Sequence, residues 1–328
     1  MSAGSPIISV IVPAYNAGSF IAATVESALR QSFEGIEVIV IDDGSSDDTV
    51  VRLRQFNDPR LRVVQQQRQG APSALNAGVQ LARGEFIGFL DHDDLWTSSK
   101  VARHLECFEQ YPELTATFSW YGLIDERGQR IHVRTPHWHG PVTFRQLLAD
   151  FVIGSTSSLM MRRSAVLAAG GFDPQFPRCH DFDLVLRVSL GHTGAIRAVP
   201  EELTLYRRHA GQMSRDWRAM LRDWTALLEK MRQLAPEETA AVERLARSNM
   251  NRYYACLAYE EAEYSEASAL IRASLRAHPR AFVADWRSWR VVAACCSGAL
   301  LPHALHRSLE RLAGIRRDGS TSAPESRP

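Results

Sequence analysis

Short apolar runs rich in β-branched residues alternate with helical patterns over residues 7–90 of the chain. Four such runs predict strands, at residues 7–13, 38–41, 61–64 and 86–90. The segments between them carry apolar residues at helical spacing and predict helices, at residues 19–30, 49–56 and 73–83. Because two parallel strands need a crossover connection, which is usually a helix, this alternation predicts βαβ units and a mostly parallel sheet.

The pattern changes beyond these strands and divides the chain. Further strands are predicted at residues 115–122 and 157–162, and short helices that end at glycine at 164–169 and 181–190. From about residue 211 the strand signals stop, and residues 216–313 have the pattern of helices. We therefore predict three regions: an α/β domain at residues 1–212, an α-helical region at 213–315 and a disordered polar tail at 316–328.

The composition argues against several classes of function. The net charge of the 328 residues is +1, so the overall balance does not favour nucleic acid as a partner. The five cysteines are scattered without metal-ligand spacing, which is typical of reduced thiols in a cytosolic protein. We expect no signal peptide, because residues 1–6 lack a basic region followed by an apolar run. We expect no membrane span, because the apolar stretch at 291–301 is too short.

Three carboxylates follow the fourth predicted strand within four residues: Asp91, Asp93 and Asp94. Open α/β sheets bind ligands at the carboxyl ends of their strands. This much like charge in one turn is costly unless a cation neutralises it, and Mg²⁺ or Mn²⁺ is commonly shared between carboxylates and substrate phosphates. The cluster therefore predicts a metal–diphosphate site at the end of a strand.

Polar clusters also follow the first two predicted strands. Tyr15 follows the first strand, and Asp42 and Asp43 follow the second in an acidic turn with glycine and serine. In a doubly wound sheet these adjacent ends form one crevice, where Tyr15 could stack on a base and an aspartate could accept a base N–H. The second interpretation is a tight turn with a helix N-cap at Ser46 or Asp47.

Four segments together resemble the family 2 glycosyltransferases: Ser-Val-Ile-Val-Pro-Ala-Tyr-Asn at residues 9–16, the acidic turn at 42–48, Asn-Ala-Gly and Ala-Arg-Gly within 76–84, and Phe-Leu-Asp-His-Asp-Asp at 89–94. The resemblance covers about residues 7–210. It implies that residues 1–212 have the GT-A fold, a Rossmann-like nucleotide-binding α/β domain with a mixed central sheet. It also implies an inverting transfer of a sugar from a nucleotide-sugar, usually a UDP-sugar, with Mn²⁺ or Mg²⁺ as cofactor.

The resemblance implies seven residues for binding the nucleotide-sugar: Pro13, Tyr15, Asp42, Asp43, Asn76, Asp91 and Asp93. Pro13 and Tyr15 would line the nucleoside pocket, and Asp42 would bind the base with Asp43 close by. Asp91 and Asp93 form the family's DxD pattern, in which the second carboxylate meets the metal directly and the first works nearer the ribose. Asp94 is expected to be structural or to cap a helix that begins near Ser98.

The general base is expected in the segment Cys-His-Asp-Phe-Asp-Leu at residues 179–184. An inverting enzyme needs one carboxylate to deprotonate the acceptor hydroxyl, and Asp181 matches the family's base. His180 stands where glutamate is common in the family, so this position departs from the pattern. Without the resemblance, Asp181 is better interpreted as a helix cap.

A later segment, Leu-Tyr-Arg-Arg-His at residues 205–209, is similar to a Tyr-Arg-x-His segment of the family. The resemblance implies that His209 completes the metal site with Asp91 and Asp93 or contacts the diphosphate. Arg207 or Arg208 could offset phosphate charge. The alternative is a surface histidine with a purely structural role.

The C-terminal region is basic and contains tryptophan. From Arg272 onward there are ten arginines and four acidic residues, with Trp286 and Trp289 among them. Helices of this kind can make a peripheral contact with an anionic membrane, where lipid-linked acceptors are found. The alternative is a helical subdomain that packs its apolar faces on itself.

The sequence thus predicts an enzyme that moves a sugar from a nucleotide-sugar donor to a glycan or lipid-linked acceptor in surface polysaccharide or lipopolysaccharide assembly. Its expected place is the cytoplasm, at the inner face of the membrane. A nucleotidyltransferase shares the fold but should have a glycine- and lysine-rich loop after the first strand, and residues 13–19 contain no lysine. A non-catalytic scaffold that uses its helical tail for partners is disfavoured by the intact Asp91, Asp93 and Asp181.

Overall fold

The structure, a computed structural model, describes residues 6–133, 135, 137–190 and 195–300, and for residues 296–300 it describes the backbone only. The chain divides into two compact units, Met1–Val242 and Glu243–Pro328. Residues 213–242, which the sequence-based division assigns to the helical region, therefore belong to the first unit.

Ten strands of the first unit, counted over its described residues, form one sheet: β1 (Ile8–Ala14), β2 (Ile36–Asp42), β3 (Leu61–Gln65), β4 (Phe86–Phe89), β5 (Leu95–Trp96), β6 (Ala116–Ile124), β7 (Arg130–Ile131), β8 (Pro141–Val142), β9 (Leu159–Arg162) and β10 (Ile196–Arg207). Their order is β3-β2-β1-β4-β9-β6-β10-β5, with β7 beside β6 and β8 beside β10. Strands β1 to β4 are parallel, β9 is antiparallel to β4 and β6, and β10 is parallel to β6. This mixed sheet with its helices confirms the predicted α/β fold class.

The helices of the first unit alternate with these strands: α1 (Ile21–Leu29), α2 (Thr49–Leu53), α3 (Ala71–Leu81), α4 (Lys100–Gln110), α5 (Phe144–Ala149), α6 (Arg163–Ala168), α7 (His180–Ser189) and α8 (Trp217–Leu234). Helix α9 (Pro236–Glu260) crosses the boundary between the units. The second unit continues with helices α10 (Tyr264–Ala277), α11 (Pro279–Ala284) and α12 (Trp286–Leu300).

Strands β1 and β2 are buried along their whole length, as a parallel sheet covered on both faces requires. Ala14 of β1 lies beside Asp42 of β2, and Ile11 lies beside Phe89 of β4. Helix α3 packs closely on β1, because a Cβ added to Gly78 would lie 2.3 Å from the Ile11 side chain. The residues that follow β1, β2 and β4 therefore meet at one edge of the sheet.

Strand β10 is a long element that the sequence pattern did not predict, and the two-residue strands β5, β7 and β8 were not predicted either. Pro200 interrupts its apolar alternation, and the pairing with β6 shifts register between Val199 and Thr204. Such an irregularity is typical of a β-bulge, which bends a strand. The strand matters for function because it brings Arg207 and His209 to the acidic turn after β4.

The second unit is helical in its described part and is held by buried polar contacts. The hydroxyls of Ser248 in α9 and Ser274 in α10 donate to each other's backbone carbonyls at 3.0 and 2.7 Å. Arg252 of α9 pairs with Asp285, between α11 and α12, at 3.0 Å. Among the helices that the structure describes, none is long and apolar enough to cross a bilayer.

Candidate active site

The acidic turn after β4 is fixed by contacts from α1 and β1. The N–H of Asp94 donates to the carbonyl of Asp91 at 3.1 Å. The Thr24 hydroxyl lies 2.8 and 2.9 Å from the carbonyls of His92 and Asp94. His92 donates through Nδ1 to the carbonyl of Pro13 at 3.2 Å, so its ring is held by β1. The backbone that carries the three carboxylates is therefore tied to its neighbours on two sides.

Asp94 is buried and structural. Its Oδ1 accepts the N–H of Arg207 at 2.9 Å, and its Oδ2 accepts the Ser155 hydroxyl at 3.4 Å. Burial, and then the charges of Asp93 and Asp91, raise the pKa of Asp94 well above its ordinary value. The side chain ties β10 to the turn, and it does not cap α4, whose first turn has no side-chain cap.

Asp93 and His209 form a hydrogen-bonded pair. His209 donates through Nε2 to Asp93 Oδ2 at 2.8 Å, and His209 Nδ1 accepts the N–H of Gly211 at 3.2 Å. These partners place the proton of a neutral imidazole on Nε2. Burial alone would raise the pKa of Asp93, but the hydrogen bond from His209 and the nearby charge of His92 lower it below its ordinary value.

Asp91 links the acidic turn electrostatically to α7. Its N–H donates to Ser157 Oγ at 3.0 Å. Burial, and then the charges of Asp93 and Asp181, raise the pKa of Asp91 to about 8. A direct contact agrees with this, because His180 Nε2, next to Asp181, lies 3.4 Å from the hydroxyl of Thr156, the neighbour of Ser157. The structure thus brings the two DxD carboxylates and Asp181 to one site.

The first turn of α7 carries two aspartates in different surroundings. Asp183 is buried and accepts Arg187 Nε at 2.9 Å and Lys230 Nζ at 2.6 Å. Asp181 is half-buried, and its Oδ1 accepts the N–H of Phe182 at 2.8 Å. Asp183 therefore anchors the helix, whereas Asp181 is the residue whose charge acts on the acidic turn.

The edge predicted for the nucleoside consists of the segments after β1 and β2. Pro13 and Asp42 are buried, and Asp42 accepts the Ser45 N–H and the Gln65 amide, each at 3.3 Å. Tyr15 is half-buried, and the Arg68 guanidinium carbon lies 4.0 Å from the centre of its ring. The Arg68 guanidinium thus lies over one face of the Tyr15 ring as a cation–π contact.

Asp43 and Asn76 are engaged by backbone groups. Asp43 accepts the N–H groups of Gln69 and Gly70 at 2.8 and 2.7 Å, which fixes the loop before α3. The Asn76 amide donates to the carbonyl of Phe172 and accepts its N–H, both at 2.8 Å. Both residues position segments around the site, and their contact with a nucleotide-sugar stays a prediction.

Arg207 has a role that the sequence did not reveal. It is buried, and its Nε donates to the carbonyl of Asp93 at 2.6 Å. Its Nη1 donates to the carbonyls of Asp125 and Glu126 at 3.0 and 3.1 Å. The guanidinium therefore ties the acidic turn to the turn after β6.

Lys100 is a second residue beside the site whose structural role sequence reasoning missed. It begins α4, is fully buried, and donates to the hydroxyls of Ser119 and Thr204 at 2.9 and 3.0 Å and to the carbonyl of Ser158 at 3.2 Å. Burial lowers the pKa of Lys100 well below its ordinary value, and the charge of Asp94 opposes this shift. The ammonium group thus joins α4, β6 and β10 next to the acidic turn.

The site offers donors for a divalent cation that binds together with a phosphate ligand. Over the described ranges, no three His, Cys, Asp or Glu side chains are grouped so that they could hold a metal ion by themselves. Asp93 and His209 offer a carboxylate oxygen and an imidazole nitrogen, with Asp91 beside them. Mg²⁺ and Mn²⁺ accept such donors and take further ligands from water and substrate phosphates. The donor set therefore fits either ion.

Comparisons with known proteins agree with this geometry. Residues 9–168 match the family model for glycosyl transferase family 2. Chondroitin synthase of Escherichia coli is 33% identical over 186 residues, which are 56% of this chain and 26% of that protein. UDP-Glc:alpha-D-GlcNAc-diphosphoundecaprenol beta-1,3-glucosyltransferase WfaP of Escherichia coli is 38% identical over 104 residues, which are 31% of this chain and 41% of that protein. The chain thus spans less than half the length of both relatives.

Two solved structures share the fold. Residues 1–349 of S. aureus TarS in complex with UDP-GlcNAc superpose with a TM-score of 0.61 at 17% identity, covering 94% of this chain and 91% of that one. The mannosyltransferase PcManGT of Pyrobaculum calidifontis in complex with GDP-Man and Mn²⁺ superposes with a TM-score of 0.58 at 17% identity, covering 95% and 85%. At this identity the likeness shows the fold alone. The family match ends at residue 168, so Asp181 and His209 lie outside it.

Proposed function

Because the chain belongs to glycosyltransferase family 2 and has the GT-A fold, we propose that it transfers a sugar from a UDP-sugar to a hydroxyl of a glycan or lipid-linked acceptor, with inversion. The observation that carries this proposal is the pair of contacts, His180 to Thr156 and Asp91 to Ser157, that place the first turn of α7 with Asp181 beside the DxD carboxylates. An inverting displacement needs one carboxylate for the acceptor and charged groups for the leaving diphosphate.

Asp181 is the general base in this proposal. Its carboxylate takes the proton of the acceptor hydroxyl while that oxygen attacks the anomeric carbon from the face opposite the diphosphate. The new C–O bond forms as the bond to the diphosphate breaks, and the configuration inverts. General base catalysis of this kind contributes about 10²–10⁴-fold to the rate.

The donor is held by residues from four strand ends. Asp93 and His209 would hold Mn²⁺ or Mg²⁺ with Asp91 beside them, and the bound ion would neutralise charge on the diphosphate. Tyr15 and Asp42 would bind the nucleoside. Arg207 keeps the carbonyl of Asp93 in place, which maintains the position of the metal-binding carboxylate.

The proposed donor, cofactor and acceptor are based on the names of the similar proteins. TarS is known in complex with UDP-GlcNAc, and PcManGT with GDP-Man and Mn²⁺, which supports a nucleotide-sugar donor with a divalent cation. WfaP is named for transfer from UDP-Glc to a diphosphoundecaprenol-linked sugar. We therefore propose a reaction in the cytoplasm, at the inner face of the membrane, in the assembly of a surface polysaccharide or lipopolysaccharide. Arg208, next to Arg207, would offset phosphate charge.

A screen of UDP-, GDP- and dTDP-sugars with Mn²⁺ tests this function through the melting temperature and the release of sugar. We expect a UDP-sugar to raise the melting temperature and Asp93→Ala to abolish the rise. Glu109→Gln, an exposed position on α4, is the matched control and should keep the rise. No stabilisation by any nucleotide-sugar would overturn the proposal. Tight UDP binding without turnover would instead indicate a non-catalytic binding protein.

A further inference from the structure

The surface formed by α11 and the start of α12 is aromatic and basic. Val283, Trp286 and Trp289 are 55%, 60% and 51% exposed, and Arg280 and Arg290 are exposed as well. We call these five residues the α11–α12 surface. The sequence left open whether the tryptophans pack inside a helical subdomain, and their exposure argues against that alternative.

The side chains of this surface are held in place by local contacts. Trp286, Trp289 and Arg290 are spaced three and four residues apart and share one face of α12, whereas Val291 is buried. Trp289 donates through its indole N–H to the carbonyl of Val283 at 2.9 Å. The Arg290 guanidinium carbon lies 5.2 Å from the centre of the Trp286 ring. Because the N–H of Trp289 already has an acceptor, its ring presents mainly carbon to solvent.

Charge around the α11–α12 surface is mainly positive. Residues 267–295 contain five arginines and a single acidic residue, Asp285, and four of the five arginines are exposed. Asp285 is paired with Arg252 at 3.0 Å and with Arg287 at 2.7 Å, so its charge is neutralised inside the unit. The segment therefore presents uncompensated positive charge beside exposed indole rings.

We propose that the α11–α12 surface docks the protein on an anionic lipid surface, with the two indoles at headgroup level and the exposed arginines against lipid phosphates. Indole rings and guanidinium groups suit the boundary between headgroups and acyl chains. A second copy of this chain would bring like charges together, which disfavours self-association through this face. The proposal rests on residues of the second unit and goes beyond the proposed sugar transfer.

Co-sedimentation of the full chain with vesicles of phosphatidylcholine, alone or mixed with phosphatidylglycerol, tests this docking. We expect binding to the mixed vesicles that weakens as salt is added. The double variant Trp286→Ala/Trp289→Ala should weaken it at least about tenfold. Arg280→Glu/Arg290→Glu, at two exposed positions, should remove the preference for phosphatidylglycerol. Leu234→Ala, 51% exposed on α8, is the matched apolar control and should bind like the wild type.

Equal sedimentation with both kinds of vesicle, or unchanged binding by both double variants, would overturn the proposal. A dimer that the tryptophan variant loses, in the absence of vesicle binding, would also overturn it and identify a protein interface. The rise in melting temperature with UDP and Mn²⁺ reports on the first unit. It is expected to persist in both variants, so a failure of lipid docking is distinguishable from a failure of the proposed sugar transfer.

Discussion

His209 Nε2 and Asp93 Oδ2 are joined by a hydrogen bond of 2.8 Å, although 116 positions separate the two residues in the sequence. Both atoms are donors that Mg²⁺ or Mn²⁺ accepts. Without a cation they satisfy each other. Binding of a cation at Nε2 would require the proton of the neutral imidazole to move to Nδ1, where Gly211 N–H now donates. The pair therefore keeps the two proposed metal ligands adjacent before the donor arrives.

His209→Ala is expected to weaken Mn²⁺-dependent binding of UDP by about 10- to 100-fold, because the site loses one donor and the group that orients Asp93. Isothermal titration with UDP, with and without Mn²⁺, measures the effect. His132→Ala, at an exposed position after β7, is the control and should bind like the wild type. Wild-type affinity in the His209 variant would remove this residue from the metal site.

The raised pKa of Asp91 predicts how stability depends on pH without a cation. The unfolded chain loses this proton near pH 4, and the folded chain loses it at about 8. Between these values the folded state holds a proton that the unfolded state lacks, so stability falls as pH rises and then levels off. Asp91→Asn should flatten this fall in melting temperature. Part of the slope should remain, because the pKa of Asp94 is raised as well.

The same proton opposes binding of a cation, because Asp91 contributes charge only when ionised. The affinity for UDP with Mn²⁺ is therefore expected to increase from pH 6 to about 8 in the wild type and to depend less on pH in Asp91→Asn. An affinity that is independent of pH in the wild type would contradict a role of this carboxylate in the donor site.

Asp183→Asn is expected to lower the free energy of unfolding by about 3 kcal/mol, because it breaks buried ion pairs with Arg187 and Lys230. Urea denaturation measures the change. Asp181→Asn is the matched variant on the same helical turn and should change stability by less than about 0.5 kcal/mol. Equal effects at the two positions would contradict the division of roles between them.

Lys100→Met is expected to lower the free energy of unfolding by about 2–4 kcal/mol. It removes the buried donor to the hydroxyls of Ser119 and Thr204 and to the carbonyl of Ser158. Chemical denaturation measures the change in the free energy of unfolding. Arg54→Met, at an exposed position after α2, is the control. A variant as stable as the wild type would show that the ammonium group is dispensable.

The parallel half of the sheet could be predicted because each of its strands is a short apolar run and the helix that connects it to the next strand has its own local apolar spacing. Strand β10 could not be predicted in this way. Pro200 and the acidic residues after it break the apolar alternation of the strand, and its position depends on pairing with β6, which is distant in the sequence. The domain boundary placed after residue 212 rested on the end of strand signals, whereas α8 belongs to the first compact unit.

The candidate site was predictable where motifs lie at strand ends. The roles of Arg207 and Lys100 were not, because their partners are backbone carbonyls and hydroxyls from distant segments, which leave no local pattern. For Lys100, the rarity of lysine in the sequence was a weak indication of a special role. Lys100 and Lys230 are the chain's two lysines, and both lie in buried or half-buried networks next to site residues.

The most direct test of the central claim is the rate of sugar release or transfer from a UDP-sugar by Asp181→Asn, measured together with its affinity for UDP and Mn²⁺. We predict that the rate constant falls by about 10²–10⁴-fold while the affinity stays within about twofold of the wild type. An Asp181→Asn enzyme that turns over at the wild-type rate would contradict the assignment of this carboxylate as the general base.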